Sequence, residues 1–320
     1  MSFPDIRREQ FLLRFDQLDA SDCAGADHLF EEFAPGNTIA GQHFPFERFE
    51  WYREHLKLLF ERSPKKYGEI HKGTPFFFLA WLAFDFRDYE KALTYLDAAI
   101  SEDTRIDPQG WSTRPGGRFL HLDADPNHVG RRTIAMLRER IVEELGRFKG
   151  ATGVKLTLPE FLQRFPAQLL ATPESRTIAS AFYVFILEVD ERTEELAMRS
   201  VAGGSTGPAL SLLFRGGVLF ESLLKRLYPG HRTLGAILRD RSFQGDFPGA
   251  YQTSARSLAD ILANATDNSI ETAFSTTARL RNTTGHNLIW DDVFDIPNAL
   301  TRLVNQQFNA LLYVIERKFK

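Results

Sequence analysis

The segment "IPNALTRLVNQQFNALLYVIERKF", residues 296–319, decides the fold class. Its apolar side chains Leu300, Leu303, Val304, Phe308, Leu311, Leu312 and Ile315 recur at three- and four-residue intervals, which lines them along one face of an α-helix. Pro297 fits the first turn of that helix, where a missing N–H costs little. Working back along the chain, the same period returns at about 267–284, 254–264, 207–228 and 174–198, with "GGSTGP" (203–208) as the turn between the last two. Strand alternation is almost absent. These patterns predict an all-α chain whose C-terminal half is a helical bundle.

The N-terminal half reads the same way. In "FERFEWYREHLKLLFERS" (46–63) the residues Phe49, Tyr52, Leu56, Leu59 and Phe60 share one helix face, and that helix ends before Pro64. The stretch "GTPFFFLAWLAFDFRDYEKALTYLDAAISEDT" (73–104) predicts two antiparallel helices broken at "FRD", with Ala92, Leu96 and Ala99 facing inward. Its large and small positions Phe76, Leu79, Ala80, Ala92, Leu96 and Ala99 make it resemble one tetratricopeptide-type repeat. Ala83 and Thr104 depart from that pattern, which usually has a bulky aromatic and a proline there, and no second copy follows at a period of about 34 residues. One tetratricopeptide-like hairpin in a helical domain is expected, not an array. Residues 105–129, rich in Pro, Gly and polar groups, read as a long loop of the kind that is either functional or disordered. A polar helix at about 130–148 and the glycine-bearing joint "FKGATGVKLTLPE" follow. The composition shift there places the domain boundary near residue 155, giving domains 1–155 and 156–320.

Composition narrows the function classes. The 320 residues are 43% hydrophobic and 25% charged, ordinary values for a globular protein, and the formal net charge of −3 provides no global basic field for nucleic acid. Any RNA contact must be local. The 28 Phe favour thick interlocking cores. The single Cys23 excludes an intramolecular disulfide and a multi-cysteine metal site and fits a reducing compartment, so a cytoplasmic location is expected. "MSFPDIRREQF" lacks the apolar core of a signal peptide, and "TPFFFLAWLAF" (74–84) is far short of the ~20 residues that span a bilayer. No membrane span is expected.

Chemistry-bearing residues concentrate in "RLRNTTGHNLIW", 279–290. The helix carrying it would begin at Asp267 or Asn268, either a good N-cap, with Glu271 suiting the dipole. At about 100° per residue from Ile270, Phe274 falls near 40° and Arg281 near 20°, so the arginine lies on the apolar stripe. A guanidinium there must be paired, meet a partner chain or line a pocket. Glu221 is the candidate internal partner, being on the Leu210, Leu213, Phe214, Leu224 side of its own helix. His286 would point about 140° away from Arg281 in an unbroken helix. Gly285 argues that the helix ends there, which would let the two converge, within one chain or across a dimer axis.

Arg281, the polar Asn282 directly after it and His286 beyond four intervening residues resemble the Arg–polar–spacer–His signature of the HEPN superfamily of helical-bundle proteins, which includes many bacterial RNases. The resemblance covers roughly residues 174–320, and the motif's place before a final long helix fits it. It implies a HEPN-like bundle and metal-independent, cofactor-free cleavage of RNA, with Arg281, Asn282 and His286 as catalytic residues. It also implies a homodimer whose interface builds the cleft, and a role in bacterial defence against phage. In that chemistry a 2′-OH attacks the adjacent phosphorus; a near-neutral histidine exchanges protons and an always-charged arginine stabilises the phosphorane. The N-terminal half would then regulate the enzyme or recognise a partner or ligand.

Other readings compete with it. "HLDADPNH" (121–128) offers His121, Asp123, Asp125 and His128, residue types that bind divalent metals, although Asp and Asn beside proline are ordinary turn formers. "GGSTGP" lacks the Gly-Lys-Ser/Thr ending of a phosphate loop. Ser175, Ser205 and Cys23 carry no local nucleophile signature. The rival from another class is a non-catalytic helical dimeric interaction or nucleotide-binding protein, in which Arg279, Arg281 and Arg302 are structural or bind a nucleotide.

Overall fold

The computed structural model describes residues 6–19, 21, 22, 25–33, 45–125, 127, 128, 130–197, 207–250, 268–284 and 298–319. Every regular element among them is a helix, as the spacing predicts. The chain divides into two compact units, Met1–Ile134 and Ala135–Lys320. The division falls within a helix, ahead of the glycine-bearing joint that the composition marks.

The first unit opens with α1 (Ile6–Gln17), α2 (Gly25–Phe33) and α3 (Pro45–Arg62). Phe11 meets Phe30, Phe33 and Trp51 edge to face, at centroid distances of 5.5, 5.5 and 6.2 Å, and these rings fuse the three helices. On α3 the residues Phe49, Tyr52, Leu56 and Leu59 are buried as their spacing requires, but Phe60, placed on the same face by the sequence, is 52% exposed. After the short α4 (Pro64–Glu69) comes the hairpin of α5 (Gly73–Asp85) and α6 (Tyr89–Ile106). Arg87 turns the chain between them at φ 60°, and the Asp88 side chain caps α6 by accepting from the Lys91 N–H. Leu79, Ala80, Ala92, Leu96 and Ala99 are all buried, and so is Ala83.

Residues 105–129 are not a plain loop. They contain a 3₁₀ turn (Trp111–Thr113) and α7 (Pro115–Leu120). The glycines that suggest looseness serve close packing: a Cβ at Gly117 would sit 2.4 Å from the Trp111 carbonyl oxygen, and one at Gly116 would sit 3.0 Å from Ile100. Composition alone does not distinguish the two uses of glycine.

α8 (Arg131–Thr152) spans the division between units. The second unit continues with α9 (Leu158–Leu169), which begins in the last three residues of the supposed joint. Its capping box, Thr157 with Glu160, and Pro159 in its first turn are start signals visible in "TLPE". α10 (Pro173–Ala197), α11 (Gly207–Leu227), the short α12 (Leu234–Leu238) and α13 (Arg241–Asp246), α14 (Ile270–Thr284) and α15 (Ala299–Lys318) complete the bundle. The expected helix at 254–264 and Pro297 lie outside the described residues.

α15 is the axis of this unit. Residues 303, 304 and 306–315 are all buried, so it is enclosed on every side and not on one stripe. Its polar residues are therefore core residues. Gln307 donates to the Leu213 carbonyl of α11 at 2.6 Å, Asn309 accepts from Arg147 of α8 at 3.0 Å, and the Tyr313 hydroxyl donates to the Asn268 carbonyl at 3.2 Å. Gly216 leaves the space that Gln307 and the Phe185 ring occupy. By length and composition α11 alone among the described helices would reach across a membrane, and most of it is buried inside the bundle.

Candidate functional site

Arg281 and Asn282 lie in the last turn of α14. The helix begins at Ile270, with the Ser269 side chain accepting from the Thr272 N–H at its start. Ala273, Phe274, Thr277, Ala278 and Leu280 turn inward, and the Phe274 ring packs edge to face on Phe220 of α11 at 5.0 Å. That contact sets the rotation of α14. It brings Arg281 against α11, on the apolar side assigned by its spacing.

The approach of the two helices is closest at Gly217. A Cβ there would meet Arg281 Cβ at 2.7 Å and Arg281 Cα at 2.9 Å, so only glycine allows this crossing. One turn further along α11 stands Glu221, whose side chain is 6% exposed. It accepts from Arg281 Nε through Oε2 and pairs with Lys225 Nζ through Oε1 at 2.8 Å. Burial would push this carboxyl up; the hydrogen bonds and charges of Lys225 and Arg281 outweigh it and hold Glu221 below its ordinary 4.5. A carboxylate with both oxygens engaged by cations is ionised and fixed.

Glu221 therefore does what the sequence assigned to an internal partner. It engages only the Nε side of the guanidinium, however. The Arg281 side chain keeps 34% of its surface exposed, and Nη1 lies 3.5 Å from Asn282 Oδ1, at the limit of a hydrogen bond. Asn282 itself is exposed. The arrangement is a partly exposed cation anchored from within the bundle through its Nε. Such a group is pre-set to meet an oxyanion.

Of the three motif residues, the structure brings Arg281 and Asn282 together; His286 lies outside the described residues. Lys225 and Gly217 are the members of the site that sequence reading missed. Their signals were present as Glu–x₃–Lys spacing at 221–225 and a Gly-Gly pair in a helix interior at 216–217.

Among the described residues, the side chains of the competing constellations have partners within the chain. In "HLDADPNH", Arg118 bridges Asp123 at 2.9 Å and Asp125 at 2.5 Å, so both carboxylates are engaged by one guanidinium. His128 is buried, with Nε2 3.0 Å from the Pro115 carbonyl and Nδ1 accepting from the Gly130 N–H at 3.1 Å. Both its nitrogens are occupied. Among the described residues no three His, Cys, Asp or Glu side chains gather to hold a metal ion. Ser175, at the start of α10, is buried and accepts from Arg226 Nε at 2.8 Å. Arg279 is exposed and Arg302 half-buried. Cys23, Ser205 and most of "GGSTGP" lie outside the described residues.

Comparison of the chain with protein-family models, curated proteins and solved structures found no match.

Proposed function

We propose that the chain is a metal-independent endoribonuclease in which Arg281, Asn282 and His286 act together. The observation that carries this reading is the Arg281 guanidinium, held through Nε by a buried, ionised Glu221 while a third of the arginine side chain stays exposed. A purely structural ion pair has no need for the exposed edge.

The chemistry follows from that placement and the resemblance to HEPN ribonucleases. His286 takes the proton of the ribose 2′-OH as its oxygen attacks the adjacent phosphorus. The negative charge that accumulates on the phosphorane faces the exposed edge of Arg281, whose position requires no reorganisation during the reaction. Asn282 orients a phosphate oxygen or the imidazole. The proton taken up by His286 passes to the departing 5′-oxygen, so the products are a 2′,3′-cyclic phosphate and a 5′-hydroxyl, and the histidine returns to its neutral form. No metal ion enters these steps.

A second copy of the chain completes the cleft in this reading. Phe214 and Val218, 38% and 37% exposed, lie on the same stripe of α11 as Gly217 and Glu221, a ready apolar surface beside the arginine. The first unit, with no residue in the cleavage chemistry, regulates it.

One observation favours the rival reading of a non-catalytic helical interaction protein: Arg281 and Lys225 engage both oxygens of Glu221 within one chain, without substrate. Degradation of RNA by the purified full chain, lost in His286→Ala, separates the two. If the wild type and the variant both leave RNA intact, the ribonuclease reading falls.

A further inference from the structure

A groove of about 270 Å³ in the first unit has no part in the chemistry above. It lies among α3, α4, α5 and α6, with Leu56 and the fully buried Leu79 among its lining. Its walls are aromatic. Phe60 meets Tyr67 edge to face at 5.6 Å, and Phe76 stacks with Tyr95 at 6.3 Å and an angle of 21°. This is where Phe60, which the helical spacing assigns to the core, is instead half-exposed.

Three features define what would fit. The rings present flat apolar faces, which favour a planar ligand. Neither the Tyr67 nor the Tyr95 hydroxyl has a hydrogen-bond partner among the described residues, so each offers a donor and acceptor to the polar edge of a ring. Burial pushes the Tyr67 phenol up to about 12, keeping it a neutral donor. Arg53 and Lys57 line the same groove and are 57% and 74% exposed. Their pairs with Glu50 and Glu61 are exposed contacts within one helix, of the weak kind that an incoming anion readily displaces.

The wall is also held in place. Lys72, only 3% exposed, sits 4.6 Å over the Tyr67 ring and donates to the Tyr67 and Ile70 carbonyls at 2.6 and 2.7 Å. A buried cation so deeply committed to the backbone around Tyr67 leaves that ring little freedom, which lowers the ordering cost of binding. The volume lies just below the ~300–1,000 Å³ typical of drug-sized ligands, which suits one ring system with a single charged group.

We propose that this groove binds a nucleobase bearing a phosphate, the base between the aromatic walls with its edge on the tyrosine hydroxyls and the phosphate at Arg53 and Lys57. The source is either a free nucleotide or one nucleotide of a single strand. The site is independent of Arg281 and His286, and stands or falls without the ribonuclease reading.

Calorimetric titration of the full-length chain tests it, with AMP, adenosine and a tetradeoxyadenylate as probes; the last cannot be cut by 2′-OH attack. AMP is expected to bind, and adenosine more weakly. Phe60→Ala, at a side chain too exposed to support the core, should weaken AMP about five-fold or more by removing a stacking surface. Lys57→Glu should abolish the advantage of AMP over adenosine. Equal binding of AMP and the tetranucleotide supports the site with a free nucleotide as its ligand; binding of the tetranucleotide alone supports it with a strand as ligand, provided Phe60→Ala again weakens it. No binding of any probe at millimolar concentration overturns the proposal, as does binding that Phe60→Ala and Lys57→Glu leave unchanged. Tyr95→Phe, which removes one hydroxyl and keeps the ring, serves as the conservative variant and should reduce affinity without altering the melting temperature.

Discussion

Gly217 and Arg281 touch backbone to backbone: a Cβ at 217 would lie 2.9 Å from Arg281 Cα and 3.1 Å from its N. The obstacle is main chain, so a side-chain rotation cannot relieve it. Gly217→Ala must therefore move α14 away from α11, and overpacking of this kind costs about 1–3 kcal/mol. Chemical denaturation should report that loss, and any RNA cleavage should fall with it because Arg281 is displaced. An unchanged midpoint with full activity would show that the helices are not so close.

The Arg281–Glu221 pair yields a second expectation. Removing one member of a fully buried pair costs about 3–5 kcal/mol. Arg281 is one-third exposed and Glu221 keeps Lys225, so Arg281→Ala should cost less, about 1–2 kcal/mol. Glu221→Gln should cost a similar amount, and a double-mutant cycle should give a favourable coupling between the two. Additive effects would mean the pair carries no energy.

Two carboxyls should give pH dependences of opposite sign. Burial, assisted by the charges of Asp103 and Glu31, raises Asp27 above its ordinary 3.8 against the opposing Thr74 hydrogen bond and His71 charge. The folded state then holds that proton more tightly than the unfolded chain. Its stabilising contribution is full below 3.8 and lost as pH rises through the raised value, so Asp27→Asn should be more stable than wild type at pH 7, with the difference vanishing in acid. Glu221 is depressed, so its contribution is present above 4.5 and lost as pH falls below that. Glu221→Gln should be the less stable protein at neutral pH, converging with wild type in acid. Denaturant midpoints measured from pH 3.5 to 7.5 decide both, and parallel curves for wild type and either variant would refute the corresponding assignment.

Dimerisation is tested on Phe214. Its side chain is exposed in the single chain, so Phe214→Glu should leave the circular dichroism spectrum unchanged. Light scattering should show a wild-type dimer and a monomeric variant with reduced RNA cleavage. A wild type that is monomeric at micromolar concentration would rule out the shared cleft.

Much of this was legible because helical periodicity is a direct record of burial. The stripe Leu300 to Ile315 and the hairpin with Ala92, Leu96 and Ala99 are buried as their spacing requires. The same rule placed Arg281 on an inward face and singled out Glu221. It failed where a residue's role depends on another helix. Gln306, Gln307 and Asn309 look like a polar face but are enclosed, because α15 has neighbours all round. Phe60 looks like core and borders a groove. Gly116 and Gly117 look like loop residues and are the tight contacts of a short helix. α9 was announced by a capping box in "TLPE", hidden by the two glycines before it.

The most direct test of the central claim is the chemistry of the cut ends. RNA digested by the full chain in EDTA should yield fragments with a 2′,3′-cyclic phosphate or 3′-phosphate and a 5′-hydroxyl, and a 2′-deoxy sugar at the cleavage position should block the cut. Fragments bearing 5′-phosphates, cleavage that EDTA abolishes, or cutting that survives the 2′-deoxy substitution would contradict attack by the 2′-OH, and with it the roles assigned to Arg281 and His286.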